Sequence, residues 1–226
     1  MITKPYSVSQ LLLLVLIFNI WGSFPVQAEP VVLARLKYQG GGDWYNDPSI
    51  LPNLAQEISQ RTPIDISPYE KVVEVTDDSF FHYPFVFATG HGKIVFNSLE
   101  AEILRRYLLA GGFLYVDDDF GMDKFFRPEI AKVFPEFELT PLPYDFPLFQ
   151  QPYSFIQGVP KIHEHAGGAP QTYGVFDENG RLMVLYTYNT NISDGWASPN
   201  IHKDSPQVRE QAFQMGINIV EYALTH

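Results

Sequence analysis

Four groups of residues in this chain have types and spacings that can do chemistry. Asp117-Asp118-Asp119 sets three carboxylates in a row. Clustered carboxylates raise one another's pKa values and attract cations. They can bind Mg²⁺ or Ca²⁺ through oxygen, supply a general base, or cap a following helix at its positive end. His163-Glu164-His165 is an H-x-H pair. In an extended segment, residues two apart face the same way, so both imidazoles can hold one metal. That spacing is weak by itself, because no HExxH or cysteine knuckle accompanies it. Gly90-His91-Gly92 joins an acid–base side chain to backbone that a ligand can approach, with amide N–H groups able to hold an oxyanion. Gly40-Gly41-Gly42-Asp43-Trp44-Tyr45 adds a carboxylate and two rings. With Trp196, these are rings of the kind that stack on sugars or pack interfaces.

Some chemistries are missing. The chain has no cysteine, so thiolate catalysis is excluded. Ser79 and Ser98 lack the G-x-S-x-G setting of a hydrolase elbow. The glycine turn at 90–92 lacks the longer phosphate-loop pattern, so nucleotide binding is not expected.

The elements that must position these groups can be read from periodicity. Phe85 to Thr89 is an uncharged, buried strand, followed by the Gly90-His91-Gly92 turn. A helix follows, with Asn97 as N-cap and Glu100 completing a capping box. Leu99, Ile103, Leu104, Tyr107 and Leu108 form its apolar face, and Gly111 is its stop. Phe113 to Val116 is a second buried strand that stops at the three aspartates. Together they make one right-handed β-α-β unit with its polar residues at the strand ends, where open α/β sheets bind ligands.

Around this unit, Val31 to Tyr38 reads as a first strand, Ser49 to Gln60 as a helix and Lys71 to Val75 as a short strand. Lys93 to Phe96 is a possible brief strand, and Met122 to Val133 a short helix. Pro135 to Pro160 is rich in proline and aromatics, which forbids a long helix and disfavours a central strand, so it is expected to wrap the sheet. It either covers an apolar edge or serves function. Tyr173 to Tyr188 is a hairpin turning at Asn179-Gly180. The last helix opens at Ser205-Pro206 and is apolar over much of its girth.

Lys4, the apolar run Leu11 to Ile20 and the small-residue site Val26-Gln27-Ala28 read as a secretory signal peptide over 1–28, cut after Ala28. That leaves 29–226 as a single α/β domain, long enough to bury a core without disulfides. The export is to a periplasm or beyond the cell. No later run is apolar enough to span a bilayer, so no transmembrane segment remains after cleavage. The net charge of −11 argues against nucleic acid and anionic membrane surfaces as partners.

Five stretches also carry a resemblance: LARLKYQGGGDWYNDPS, TGHG, LRRYLLAGGFLYVDDDFG, GRLMVLYTYN and MGINIVEYAL. They resemble the bacterial domain of unknown function 4159 over nearly all of 29–226. That family looks like a branch of the class I glutamine amidotransferase-like superfamily. The resemblance implies a flavodoxin-like three-layer α/β sandwich with a mostly parallel sheet, a hairpin in the C-terminal half and a packed C-terminal helix. Amidotransferases of that superfamily place a cysteine at the turn after a central strand. Here the similar turn offers Asp117, Asp118 and Asp119, so glutamine hydrolysis by that route is excluded. The superfamily also has sugar-related and non-catalytic binding members, so likeness leaves the reaction class open.

The reading that results is an exported domain that binds a small polar ligand non-covalently at its carboxyl-end cleft. Its ligand-facing residues are Asp43, Trp44, His91, Asp118, Asp119, His163 and His165. No cofactor and no resident metal is expected. Two rivals stand beside it. One is a metal-dependent hydrolase in which His163, His165 and an aspartate of 117–119 hold an ion that activates water. The other is a cell-envelope scaffold in which the Pro135 to Pro160 segment docks a protein partner.

Overall fold

The alternation of apolar residues along two central strands sets the architecture. In β3 (Phe85–His91) and β4 (Phe113–Phe120), Phe85, Phe87, Phe113 and Tyr115 point to one face and Val86, Ala88, Leu114 and Val116 to the other. Strands buried on both faces need helices on both sides. The computed structural model, which describes residues 29–163 and 167–226, supplies them. The expected signal peptide and His165 lie outside these residues.

Helices α1 (Ile50–Arg61) and α4 (Pro206–Thr225) cover the first face. Helices α2 (Ser98–Leu109) and α3 (Asp123–Val133) cover the second. Large side chains such as Phe85, Phe87, Phe126 and Trp196 are fully buried between these layers. Each contributes roughly 1.5–3 kcal/mol through removal of apolar surface from water.

The remaining strands are β1 (Ala34–Leu36), β2 (Lys71–Val73), β5 (Thr140–Pro141), β6 (Gln171–Phe176) and β7 (Leu182–Tyr188). They form one seven-stranded sheet in the order β2-β1-β3-β4-β7-β6-β5. The five strands from β2 to β7 run parallel, β6 pairs antiparallel to β7, and β5 pairs antiparallel to β6 at the edge. Among the parallel strands this is the flavodoxin-like order, with its reversal between β1 and β3. At that reversal the following helices go to opposite faces, while the loops leaving β1 and β3 hold each other through Gly42 N to Lys93 O (2.9 Å) and Val95 N to Gln39 O (2.8 Å).

Local chemistry explains the punctuation. Asn97 accepts from the amides of Leu99 and Glu100, while the Glu100 carboxylate accepts from Asn97 N, giving the full capping box. Gly111 closes α2 with φ 110°, and Ser205 accepts from Val208 N at the start of α4. The hairpin β6–β7 turns at Asn179-Gly180 as read from sequence.

Several expectations need correction. The strand at Phe113 runs on through Phe120, so the three aspartates lie inside it. The cause is pairing: Thr89 and Gly90 of β3 and Thr187 of β7 continue the ladder beside Asp117 and Asp118. The first two strands are shorter than Val31 to Tyr38 and Lys71 to Val75. Lys93 to Phe96 forms only an isolated bridge, Gln39 to Val95. Leu99 is 58 % exposed and not part of the α2 apolar face. The proline-rich stretch carries only edge strand β5 and one 3₁₀ turn, Pro147–Phe149. It lies over α4, where Asn218 donates to the carbonyls of Leu148 (2.8 Å) and Tyr153 (2.7 Å) and accepts from Tyr153 N (3.0 Å).

Candidate functional site

Consecutive positions of a strand project to opposite faces, so the three aspartates have three different tasks. Asp117 turns under the loop after β7. It accepts from Thr187 Oγ1 (2.6 Å), Thr190 Oγ1 (3.0 Å), and Ser193 N and Oγ (2.7 and 2.8 Å). Burial pushes its carboxyl up, and these donors oppose the shift. Asp118 turns to the other face and accepts from Met122 N (2.9 Å) and Asp123 N (2.8 Å), capping α3 at its positive end. Burial pushes its pKa up to about 6 against those same bonds.

Asp119 is buried between the loops after β1 and β7. Asn46 Nδ2 donates to its Oδ2 (2.6 Å), Asn191 Nδ2 to its Oδ1 (2.7 Å), and His91 Nε2 lies 3.2 Å from Oδ2. On its other side, His91 Nδ1 lies 2.9 Å from Asp43 Oδ2, and the His91 amide donates to Asp43 Oδ1. When protonated, the imidazole therefore donates to two carboxylates at once. Gly90 makes this approach possible. It holds φ 136°, and a Cβ there would meet Tyr38 Oη at 2.5 Å and Asp43 Oδ1 at 2.9 Å.

The loop carrying Asp43, Asn46 and Asp47 is pinned from below. Arg35 of β1 is buried, and its guanidinium donates to the carbonyls of Trp44 (3.4 Å), Asn46 (3.0 Å) and Asp47 (3.3 Å). Glu70 pairs with the same guanidinium at 3.0 Å. An arginine fork suits this task because its donors are planar and fixed.

A second cluster adjoins the first through Asn191, whose Nδ2 also lies 3.3 Å from Asp194 Oδ2. His202 Nε2 stands 2.6 Å from Asp47 Oδ2 and 3.8 Å from Asp194 Oδ1. His163 Nδ1 is 3.7 Å from Asp204 Oδ1, and its ring centroid is 5.5 Å from that of His202. Burial, followed by the charges of Asp119, Asp117 and Asp47, pushes Asp194 up to about 9. Among the described residues, His163, Asp194 and His202 offer ligand atoms within 4.8 Å of one another, a spacing from which a metal ion can be held.

Asp47, Asn189, Asn191 and Lys203 all adopt left-handed backbone at φ 45–61°. Each such residue costs on the order of 1–3 kcal/mol, and such conformations gather at functional sites. All four lie in the loops at this end of the sheet. Beside them is a cavity of about 220 Å³ with Asp118, Asp119, Phe120, Asp123, Lys124 and Asn191 in its wall.

The sequence-predicted residues thus divide. Asp43, His91 and Asp119 form one hydrogen-bonded unit, and Asp118 supports α3 while facing the cavity. Trp44 is half-buried, edge-on to the exposed Tyr45 at 5.5 Å between centroids. Trp196, grouped with them in the sequence, is instead core. It is fully buried against Phe87 and Tyr115 and donates to Ala212 O (2.8 Å). His163 joins Asp194 and His202. Sequence reasoning missed Asn46, Asp47, Asn191, Asp194 and His202. Asp47 lay within the quoted WYNDPS stretch, but nothing in the spacing tied it to a histidine 155 positions away.

No curated protein matches the sequence. The model for a domain of unknown function, DUF4159, matches residues 32–224, and the chain therefore belongs to that family.

Proposed function

We propose that this protein is an exported domain that binds a small polar ligand non-covalently in the crevice at the carboxyl ends of β1, β3, β4 and β7. The observation that carries the reading is the convergence of Asp43, from the loop after β1, with His91 and Asp119, at the ends of β3 and β4, beside the 220 Å³ cavity that Asp119 lines. Strand-end crevices beside a reversal of strand order are where open α/β sheets take ligands.

The wall chemistry narrows the ligand. Asp118, Asp119 and Asp123 are acidic, and Lys124 is the basic neighbour. An anionic ligand would meet like charge, whereas a polyol or an amine would meet acceptors. Phe120, half-exposed in the same wall, offers an apolar face to a sugar ring or an alkyl chain. Covalent catalysis has no support here: the chain has no cysteine, and the Ser193 hydroxyl donates to Asp117. In this reading the chain is a cysteine-less branch of the amidotransferase-like superfamily, and the flavodoxin-like strand order is compatible with that descent.

The test is a thermal-shift and calorimetric screen with hexoses, amino acids and polyamines. A hit that raises Tm for the wild type and is weakened at least tenfold in Asp119→Asn supports the reading. A screen in which hits are unaffected by Asp119→Asn and His91→Gln contradicts it. Export is tested separately by the N-terminus of the protein recovered from its producing cell. Processing after Ala28 supports export, and an intact Met1 in a cytosolic fraction contradicts it.

A further inference from the structure

We propose that His163, Asp194 and His202 bind a first-row transition-metal dication, with zinc the simplest fit. The site is distinct from the Asp43–His91–Asp119 unit, and the inference goes beyond the polar-ligand reading without depending on it. Two segments supply the donors, the chain before β6 and the connection from β7 to α4. His163 lies before β6, Asp194 in the 3₁₀ turn Ser193–Trp196 after β7, and His202 in the loop before α4. One donor atom from each lies within 4.8 Å of the other two. Around an ion with bonds of about 2.0–2.2 Å, tetrahedral donors stand roughly 3.3–3.6 Å apart. The cluster therefore closes on an ion by side-chain shifts on the order of 1 Å. His202 Nε2 and Asp194 Oδ1, at 3.8 Å, are nearly there.

The donor set selects the metal class. Two imidazoles and a carboxylate suit Zn²⁺ and its transition-metal neighbours, whereas Mg²⁺ and Ca²⁺ prefer oxygen alone. Outer partners also lie close. Asp204 Oδ1 lies 3.7 Å from His163 Nδ1, just beyond hydrogen-bond distance, a carboxylate that a small ring rotation would bring to orient the imidazole. Asp47 Oδ2 lies 2.6 Å from His202 Nε2, a further carboxylate beside the cluster. Asp194 is buried with Asp119, Asp117 and Asp47 around it, a concentration of negative charge that a dication offsets. Asp47 and Lys203, which flank the cluster, hold the left-handed backbone at φ 45° and 61°.

The experiment uses the full chain stripped with chelator, then titrated with zinc chloride in a calorimeter and assayed for metal content after gel filtration. The expected result is one zinc per chain. Affinity should fall at least 100-fold in His163→Ala and His202→Ala, and about tenfold in Asp204→Asn. Cobalt(II) on the wild type should give the intense visible absorption of a four-coordinate site. That readout stands even if a variant fails to fold. Substoichiometric zinc, a cobalt spectrum matching the aqueous ion, or unchanged affinity in the folded histidine variants overturns the proposal. Polar-ligand binding is measured on the chelated protein, so failure of either idea is recognised without the other.

Discussion

His91 Nε2 lies 3.2 Å from Asp119 Oδ2, joining the end of β3 to the end of β4. Its other ring nitrogen reaches Asp43 in the loop after β1. One side chain thus spans the place where strand order reverses. Ligand binding here requires the backbone beneath to hold that span rigidly.

Gly90 is the first point at which the rigidity can be tested. Gly90→Ala should cost about 2–3 kcal/mol, because the alanine must hold a left-handed φ and displace Tyr38 or Asp43. Gly92→Ala should cost about 1 kcal/mol, since its φ is also positive but no atom lies within 4 Å of the new methyl. Urea unfolding of the two variants checks the difference; equal costs would mean that the close approach to Tyr38 does not matter.

Arg35 is the second. Arg35→Met removes the donors that hold Trp44, Asn46 and Asp47 and strands the Glu70 carboxylate, at a cost of about 3 kcal/mol. Arg35→Met combined with Glu70→Gln should recover part of this, because the uncompensated charge is gone. Chemical denaturation of the single and double variants reads the coupling. Purely additive losses would show that the two side chains act independently.

The pH dependence of Asp118 has a defined sign. Its folded pKa, pushed up to about 6, lies above the unfolded carboxylate value of about 3.9. The folded state therefore holds more protons between these values, and stability falls as pH rises through that window. Asp118→Asn has no such charge to bury. Relative to wild type, the variant should gain up to about 3 kcal/mol of stability between pH 4 and pH 7. The absolute cost of losing a carboxylate cap on α3 is present at both ends and cancels in the comparison. Denaturation midpoints with no relative change across that range would contradict the assignment.

Asn218 tests the role of the proline-rich stretch. Asn218→Leu removes three hydrogen bonds to Leu148 and Tyr153 and should cost about 2–3 kcal/mol. It should also make the chain around Tyr144–Gly158 sensitive to limited proteolysis, while the sheet stays protected. If cleavage there is unchanged, the segment is held mainly by its apolar contacts with α4.

Much of this arrangement was legible in the residues. The uncharged runs at Phe85 and Phe113, the Asn97 to Glu100 box and the Asn179-Gly180 turn are local signals, and each sits where its local physics puts it. The aspartate triplet misled because acidic residues usually end strands, whereas here pairing from both neighbours carries the strand through them. Trp196 misled because exposure is a tertiary property: its ring fills the space between α4 and the sheet. The His163, Asp194 and His202 grouping was illegible for a related reason. His163 precedes β6 while Asp194 and His202 lie in the connection after β7; the β6–β7 hairpin and the bond from Ile162 N to Thr190 O (2.7 Å) bring them together, and no short spacing ties His163 to the other two.

The most direct test of the central claim is amide NMR mapping of the chelated protein with whichever hexose, amino acid or polyamine the screen returns. Shift changes are expected to concentrate at His91, Asp119, Gly121 and Asn191, at the carboxyl ends of the strands. Saturable changes confined to the opposite end of the sheet, near Gly111 and Gly180, would contradict it.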